Sequence, residues 1–158
     1  MATVTKQASE RNHFDHTPYG NVVALRYTIK TIETGAVVGG NSSAPLDVGD
    51  VLNVPQLPAG LRMFDHHVIV KTPMTAGVTA SLGFAYMDGV DDASVPQDND
   101  YFGAALNMDT AARLRSTTPN ASVTLPKPAY LTLTMGGAKN VKAAEVEVVI
   151  LAIAEGRK

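Results

Sequence analysis

The chain has 158 residues, no cysteine, 45% hydrophobic and 18% charged residues, and a formal net charge of −2. A chain of this length buries roughly two-thirds of its unfolded surface, enough for one domain with a real core. The lack of cysteine excludes disulfides, thiolate zinc sites and cysteine nucleophiles. No apolar run approaches the roughly 20 residues of a membrane span, and no basic cluster marks a nucleic-acid footprint.

The opening residues hold no apolar core segment and so do not read as a signal peptide; the expectation is a soluble protein made and kept in a cytoplasm. Charge is uneven along the chain. Residues 1–30 carry four basic and two acidic side chains, residues 31–110 two and ten, and residues 111–158 seven and three. Such asymmetry suits solubility, and it also lets an acidic surface meet a basic neighbour in an assembly.

Residues 1–21 are polar and show neither a helical nor a strand period. They read either as a frayed tail or as an extended arm that orders against a partner. Phe14 and Tyr19 are apolar anchors that a solvated tail does not need. Residues 22–33 give the first clear strand. Val23, Leu25, Tyr27 and Ile29 alternate with Ala24, Arg26, Thr28 and Lys30, which predicts one buried and one wet face.

Residues 34–49 contain four glycines, Pro45 and an NSS tripeptide, and read as a mobile connection. Residues 49–71 (GDVLNVPQLPAGLRMFDHHVIVK) read as strand, tight turn, strand, a hairpin broken at Pro55 and Pro58. Proline lacks an N–H and glycine tolerates φ > 0, so PQLPAG suits a turn rather than a central strand. In its second half, Phe64, Val68 and Val70 are expected on one side.

Residues 78–86 alternate cleanly, and Gly83 within them marks a bulge or a close backbone approach. Residues 87–100 form a loop with Asp88, Asp91, Asp92, Asp98 and Asp100. Residues 101–107 read as a short strand. Residues 108–115 are either a marginal helix or an edge strand. Short strands follow at 121–125 and 130–135, then a Gly136-Gly137 turn and a last strand over 144–153. That strand places Val146, Val148, Ile150 and Ala152 on one face. On the other, Glu145 and Glu147 give way to Val149, Leu151 and Ile153, so its end is apolar on both sides and calls for a cover. About eight strands with turn signals between them predict an all-β fold, an antiparallel β-sandwich of jelly-roll type.

Chemistry is sparse. The histidines form two pairs, His13/His16 and His66/His67. Adjacent residues of a strand point to opposite faces, so His66 and His67 do not share an ion; His67 is expected at the surface and His66 partly buried and hydrogen-bonded. A metal-binding jelly roll of cupin type needs a His-x-His pair and a following acid, and VIVKTP follows His67 instead. The loop aspartates do not match an EF-hand, and no G-x-S-x-G elbow is present. No catalytic, cofactor or metal residue is assigned.

The segment GDVLNVPQLPAGLRMFDHHVIVK resembles the strand–LPAG–strand passage of tailed-phage capsid decoration, or cement, proteins of the jelly-roll type. The order that follows is similar too: SLGFAYMDGVDD, then NMDTAARLR, then an AYLTLTMGGAKNVKAAEVEVVILAI hairpin. The resemblance covers residues 22–154 and leaves the first 21 outside. It implies a non-catalytic virion protein on the outer capsid surface, bound to the major capsid protein and to itself as a dimer or trimer. It also implies an N-terminal arm (1–21) on a single sandwich domain (22–158), with contacts at Phe14, Tyr19, Val149, Leu151 and Ile153. A carbohydrate- or ligand-binding sandwich is the alternative, although tryptophan is absent and only nine aromatic residues exist. A metal-dependent jelly-roll enzyme is a third reading, disfavoured by the missing cupin pattern.

Overall fold

The computed structural model describes residues 2–5 and 22–154. These form ten strands and, among the described residues, no helix. The strands are β1 (Thr3–Thr5), β2 (Val22–Thr31), β3 (Val51–Leu57), β4 (Leu61–Thr72), β5 (Thr79–Tyr86), β6 (Asp98–Asn107), β7 (Ala112–Leu114), β8 (Val123–Thr124), β9 (Ala129–Gly136) and β10 (Ala144–Ala154). One sheet has the order β1-β3-β9-β5-β6. The other has the order β2-β10-β4-β7, with β8 also pairing β4. The fold is thus an all-β sandwich of jelly-roll type.

The chain passes from one sheet to the other at most connections, and among the described residues β5–β6 is the one pair of consecutive strands that hydrogen-bond to each other. This corrects the hairpin expected over 49–71. β3 and β4 belong to different sheets, and the LPAG turn carries the chain across the end of the sandwich. Gly60 makes the corner with φ 75°, a conformation that costs glycine little. The last two strands, β9 and β10, likewise lie in opposite sheets rather than forming a hairpin. Proline is accommodated in β3 because the register against β9 shifts between Val54 and Gln56, at Pro55, which has no N–H to offer.

The strand pattern of β2 is as expected, with Leu25, Tyr27 and Ile29 buried. In β4 the expected alternation fails. Its register against β10 shifts so that Asp65 faces Leu151 while Met63 faces Ala152, leaving Phe64 as an extra residue. A bulge of one residue reverses the phase of a strand. Met63 therefore joins Val68 and Val70 inside, and Phe64 turns out to solvent.

The core lies between the sheets. Val146, Val148, Ile150 and Ala152 of β10, a strand paired on both sides, are fully buried against apolar side chains such as Leu52, Leu82, Phe84, Leu131 and Leu133. Residues 32–50 are packed rather than loosely connecting. Leu46 is fully buried, its N–H is bonded to the Gly35 carbonyl, and its carbonyl accepts from Asn140. Residues 1–21 showed no strand period, yet Thr3–Thr5 pairs in parallel with Val51 to Asn53 and buries Val4. The burial of one valine and the open edge of β3 suffice for so short a strand, which periodicity does not reveal. Within residues 108–115 the structure has no helix, and Ala112–Leu114 form the edge strand β7.

Candidate functional site

The outward face of the β2-β10-β4 sheet divides into two halves along β10. At one end, Lys30, Glu145, Lys71, Glu147 and Arg26 form a chain of ion pairs of alternating sign. Their spacings are 3.2 Å for Lys30–Glu145, 3.2 Å for Lys71–Glu145, 2.7 Å for Lys71–Glu147 and 2.8 Å for Arg26–Glu147. Cross-strand register creates this chain, since Glu145 faces Lys30 and Glu147 faces Thr28 on β2. The Arg26 and Lys71 hydrogen bonds hold the Glu147 carboxyl down at about 2. Hydrogen bonds to Glu147 and Glu145 push the Lys71 ammonium up.

At the other end the same face is apolar. Val149, Leu151 and Ile153 are half-buried and share it with Ala24 and with Val22, which is 58% exposed. Phe64, 45% exposed, borders the strip because of the bulge in β4. The three β10 residues expected at an interface are thus brought together on one outward surface. Phe14, Tyr19, His13 and His16 lie outside the described residues. Val22 and Phe64 are additions that sequence reasoning did not assign. Phe64 escaped because its side depends on the bulge.

Below Phe64 the sandwich side is hollow. A cavity of about 200 Å³ lies between β4, β6 and residues 116–121, walled by Phe64, His66, Tyr101, Phe102, Thr118 and Pro119 among others. Its lid is held by side chains rather than by a ladder. Ser116 Oγ donates to the Phe102 carbonyl (2.9 Å), and Thr118 Oγ1 and Asn120 Nδ2 donate to that of Tyr101 (2.6 and 2.9 Å). Thr117 Oγ1 accepts from Ala104 N–H at 2.9 Å. These contacts occupy an edge of β6 that would otherwise offer bare backbone to another strand.

His66 and His67 face opposite ways, as their adjacency requires. His67 lies on the outer face opposite Val149. His66 is 2% exposed and stacks obliquely on Phe102, with ring centroids 5.5 Å apart. The expected hydrogen bond at this ring is missing at one nitrogen: Nε2 is buried with no partner. Burial pushes the imidazole pKa down, against an upward pull from Asp65, so the ring is neutral at pH 7. Asp65 itself accepts from the His66 backbone N–H and pairs with Arg115 on the rim.

The acidic loop is held together by its own carboxylates. Asp91 Oδ1 accepts from the N–H groups of Asp92 and Gln97, Asp92 from Ser94 and Val95, and Asp88 pairs with Lys127 at 2.8 Å. No group of three or more His, Asp or Glu placed to hold a metal ion occurs among the described residues. A second hollow, of about 410 Å³, lies on the outward face of the other sheet beside Gln97, Asp98, Asn99, Thr132 and Thr134. Gly83 is bare there because the backbone of Asp98 and Asn99 crosses where a methyl group would sit, the close approach its position suggested.

No family model and no curated protein sequence matches the chain. Solved structures do. A chain of the capsid of Ralstonia phage GP4 superposes with a TM-score of 0.65 at 12% identity, over 99% of this chain and 99% of that one. A chain of the capsid asymmetric unit of cyanophage Pam1 gives 0.57 at 14% identity, over 94% and 96%. The chain therefore shares its whole fold with chains of two phage capsids.

Proposed function

We propose that the chain is a non-catalytic structural protein of a phage head. It sits on the outer capsid surface as a homo-oligomer, a dimer or a trimer, and cements neighbouring copies of the major capsid protein after synthesis in the host cytoplasm. One observation carries the reading: the sandwich matches a phage-capsid chain over 99% of both lengths. That capsid includes a chain that is this sandwich and little else.

The surfaces suit the role. The strip of Val22, Val149, Leu151 and Ile153 offers apolar area for docking, and the ion-pair chain beside it supplies a polar rim. Residues 1–21 act as the arm of a domain spanning 22–158, with Phe14 and Tyr19 as anchors. Because Thr3–Thr5 is seated on β3, the reach belongs to residues 6–21. Several weak links of this kind multiply into strong attachment when engaged together.

The ligand-binding alternative would use the hollow beside Thr132 and Thr134. Its one aromatic ring, Phe84, is buried, so no ring face is offered for a sugar to stack on.

The test is co-sedimentation of the purified chain with heads that lack it, followed by heating of the decorated and bare heads. Binding with raised head stability is expected. Leu151→Asp with Ile153→Asp should abolish it, and a Gly/Ser replacement of residues 6–21 should weaken it. A folded wild-type chain that does not bind heads overturns the proposal.

A further inference from the structure

The three-residue strand β1 is joined to β2 by sixteen residues, 6–21, and among the described strands it pairs with β3 alone. The seat that holds it is closely fitted. The Ala2 N–H donates to Asp50 Oδ1 at 2.8 Å, and the buried Asp50 uses its other oxygen to accept from the Asp47 N–H at 2.9 Å. Asn41 brackets the far end: its side-chain oxygen accepts from the Thr5 N–H at 3.0 Å, and its own N–H donates to the Thr5 carbonyl at 3.2 Å. Between these ends Val4 is buried against Gly40, where a methyl group would stand 3.3 Å from Val4 Cγ1. An emptied seat would leave a buried carboxylate oxygen without its donor and a hole the size of one valine, both unfavourable.

The seat lies far from the point where the chain resumes. Val4 and Val37 both border Gly40, and Val37 bridges Thr31, the last residue of β2. Val22, at the other end of that ten-residue strand, is therefore roughly 30 Å away at the rise of a strand. Sixteen residues span at most roughly 55 Å. A link that reaches Val22 of its own sandwich thus also reaches Val22 of a neighbour at a similar distance. β1 is the outermost strand of its sheet among the described residues, so a neighbour's chain enters the seat from the side, without threading. A strand seated in a second copy makes every bond it makes in its own, so exchange forfeits no contact and ties two copies together.

We infer that β1 is exchanged between copies of this chain: residues 2–5 of one copy occupy the seat beside Val51 to Asn53 of another. This rests on the proposed homo-oligomer and names what holds it together. The occupant is this chain's own segment, because the seat's hydrogen bonds, parallel register and valine hole are those of residues 2–5. On a head, copies stand at fixed spacing, which raises the effective concentration of a neighbour's seat.

The test exploits the absence of cysteine. Thr5 and Asn53 are register partners on the outward face, since Val4 and Leu52 before them point into the core. Neighbouring strands lie about 4.8 Å apart, within the Cα separation that a disulfide spans. The full chain carrying Thr5→Cys and Asn53→Cys is oxidised, free in solution and bound to heads, and run on a denaturing gel without reductant. Covalent dimers or trimers are expected, released to single chains by reductant and absent from either single variant. A second pair, Thr3→Cys with Val51→Cys, reads the same ladder should the first disturb folding. Three results overturn the exchange: a single chain closed by an internal disulfide in both settings, no disulfide from either pair, or the same oligomers from a single variant. A chain that binds heads while closing its disulfide internally sinks the exchange and leaves the docking proposal standing. A covalent oligomer that ignores heads does the reverse.

Discussion

Glu147→Gln isolates the electrostatic half of the outer face. The glutamate side chain is 10% exposed and lies within 2.8 Å of Arg26 and 2.7 Å of Lys71. Its pKa falls from the ordinary 4.5 to about 2 in the fold. A carboxyl whose pKa is depressed by folding adds stability above its unfolded value, and that stability is lost as pH falls through the folded value. The window here runs from about 4.5 down to about 2. The full shift corresponds to roughly 3 kcal/mol. Arg26 and Lys71 are themselves 60% and 40% exposed, so solvent screens the pair and about 1–2 kcal/mol is the expected effect. Glutamine keeps the shape and the acceptor oxygen while removing the charge. Urea unfolding at a series of pH values should show the variant less stable by that amount at pH 7. The difference should close by pH 2, and 1 M NaCl should shrink it at pH 7. Wild-type and variant curves that run parallel from pH 7 to pH 2 would refute the assignment.

Two further predictions concern the frame that holds these surfaces. Asn140 is buried and its side chain makes four hydrogen bonds: Oδ1 accepts from the N–H and hydroxyl of Thr75, and Nδ2 donates to Thr31 Oγ1 and the Lys142 carbonyl. Asn140→Ala should cost about 2–4 kcal/mol in denaturant unfolding, and a loss below about 1 kcal/mol would mean that water replaces the amide. Gly83→Ala forces a methyl group into the backbone of Asp98 and Asn99 and should cost about 1–3 kcal/mol, with faster amide exchange at residues 98–100. Unchanged exchange there would show that β6 does not depend on the close approach.

The strand content was legible because period-two alternation survives wherever one face is wet. β2 shows this, with Leu25, Tyr27 and Ile29 buried and Arg26 and Lys30 exposed. Gly83 was legible for a different reason: inside an apolar strand, a residue with no side chain points to a bulge or to a second backbone passing close by. Sheet membership was not legible. Alternation fixes which side of a strand is buried and is silent about its hydrogen-bonding neighbour, so β3–LPAG–β4 looked like a hairpin while crossing between sheets. β1 is too short to carry a period, and Asn140 gave no sign of its four bonds because its partners at 31 and 75 are distant in the chain. That Val149, Leu151 and Ile153 share one face of β10 was legible because the change from Glu to aliphatic residues along one face of one strand is local information.

The bulge at Phe64 links the two halves of the functional reading. If β4 kept one phase from Leu61 onward, the odd positions would all face inward, placing His67 in the core and His66 on the surface. The extra residue changes that. Leu61 and Met63 point inward before it, His66, Val68 and Val70 after it, and Phe64 and Asp65 are left side by side at the outer edge. By absorbing the extra residue, the bulge keeps the imidazole buried at the cavity wall, leaves the Phe64 ring exposed beside it, and sets Asp65 where it pairs with Arg115. The apolar strip of β10 is laid out by simple alternation, but its extension to the exposed ring of Phe64 depends on this departure from alternation. Deleting Phe64 should therefore restore a regular ladder and leave Leu61, Met63, His66, Val68 and Val70 inward and His67 outward. The depressed pKa of His66 should persist in its imidazole NMR titration, and a rise toward the free value would show that the phase of β4 is set elsewhere.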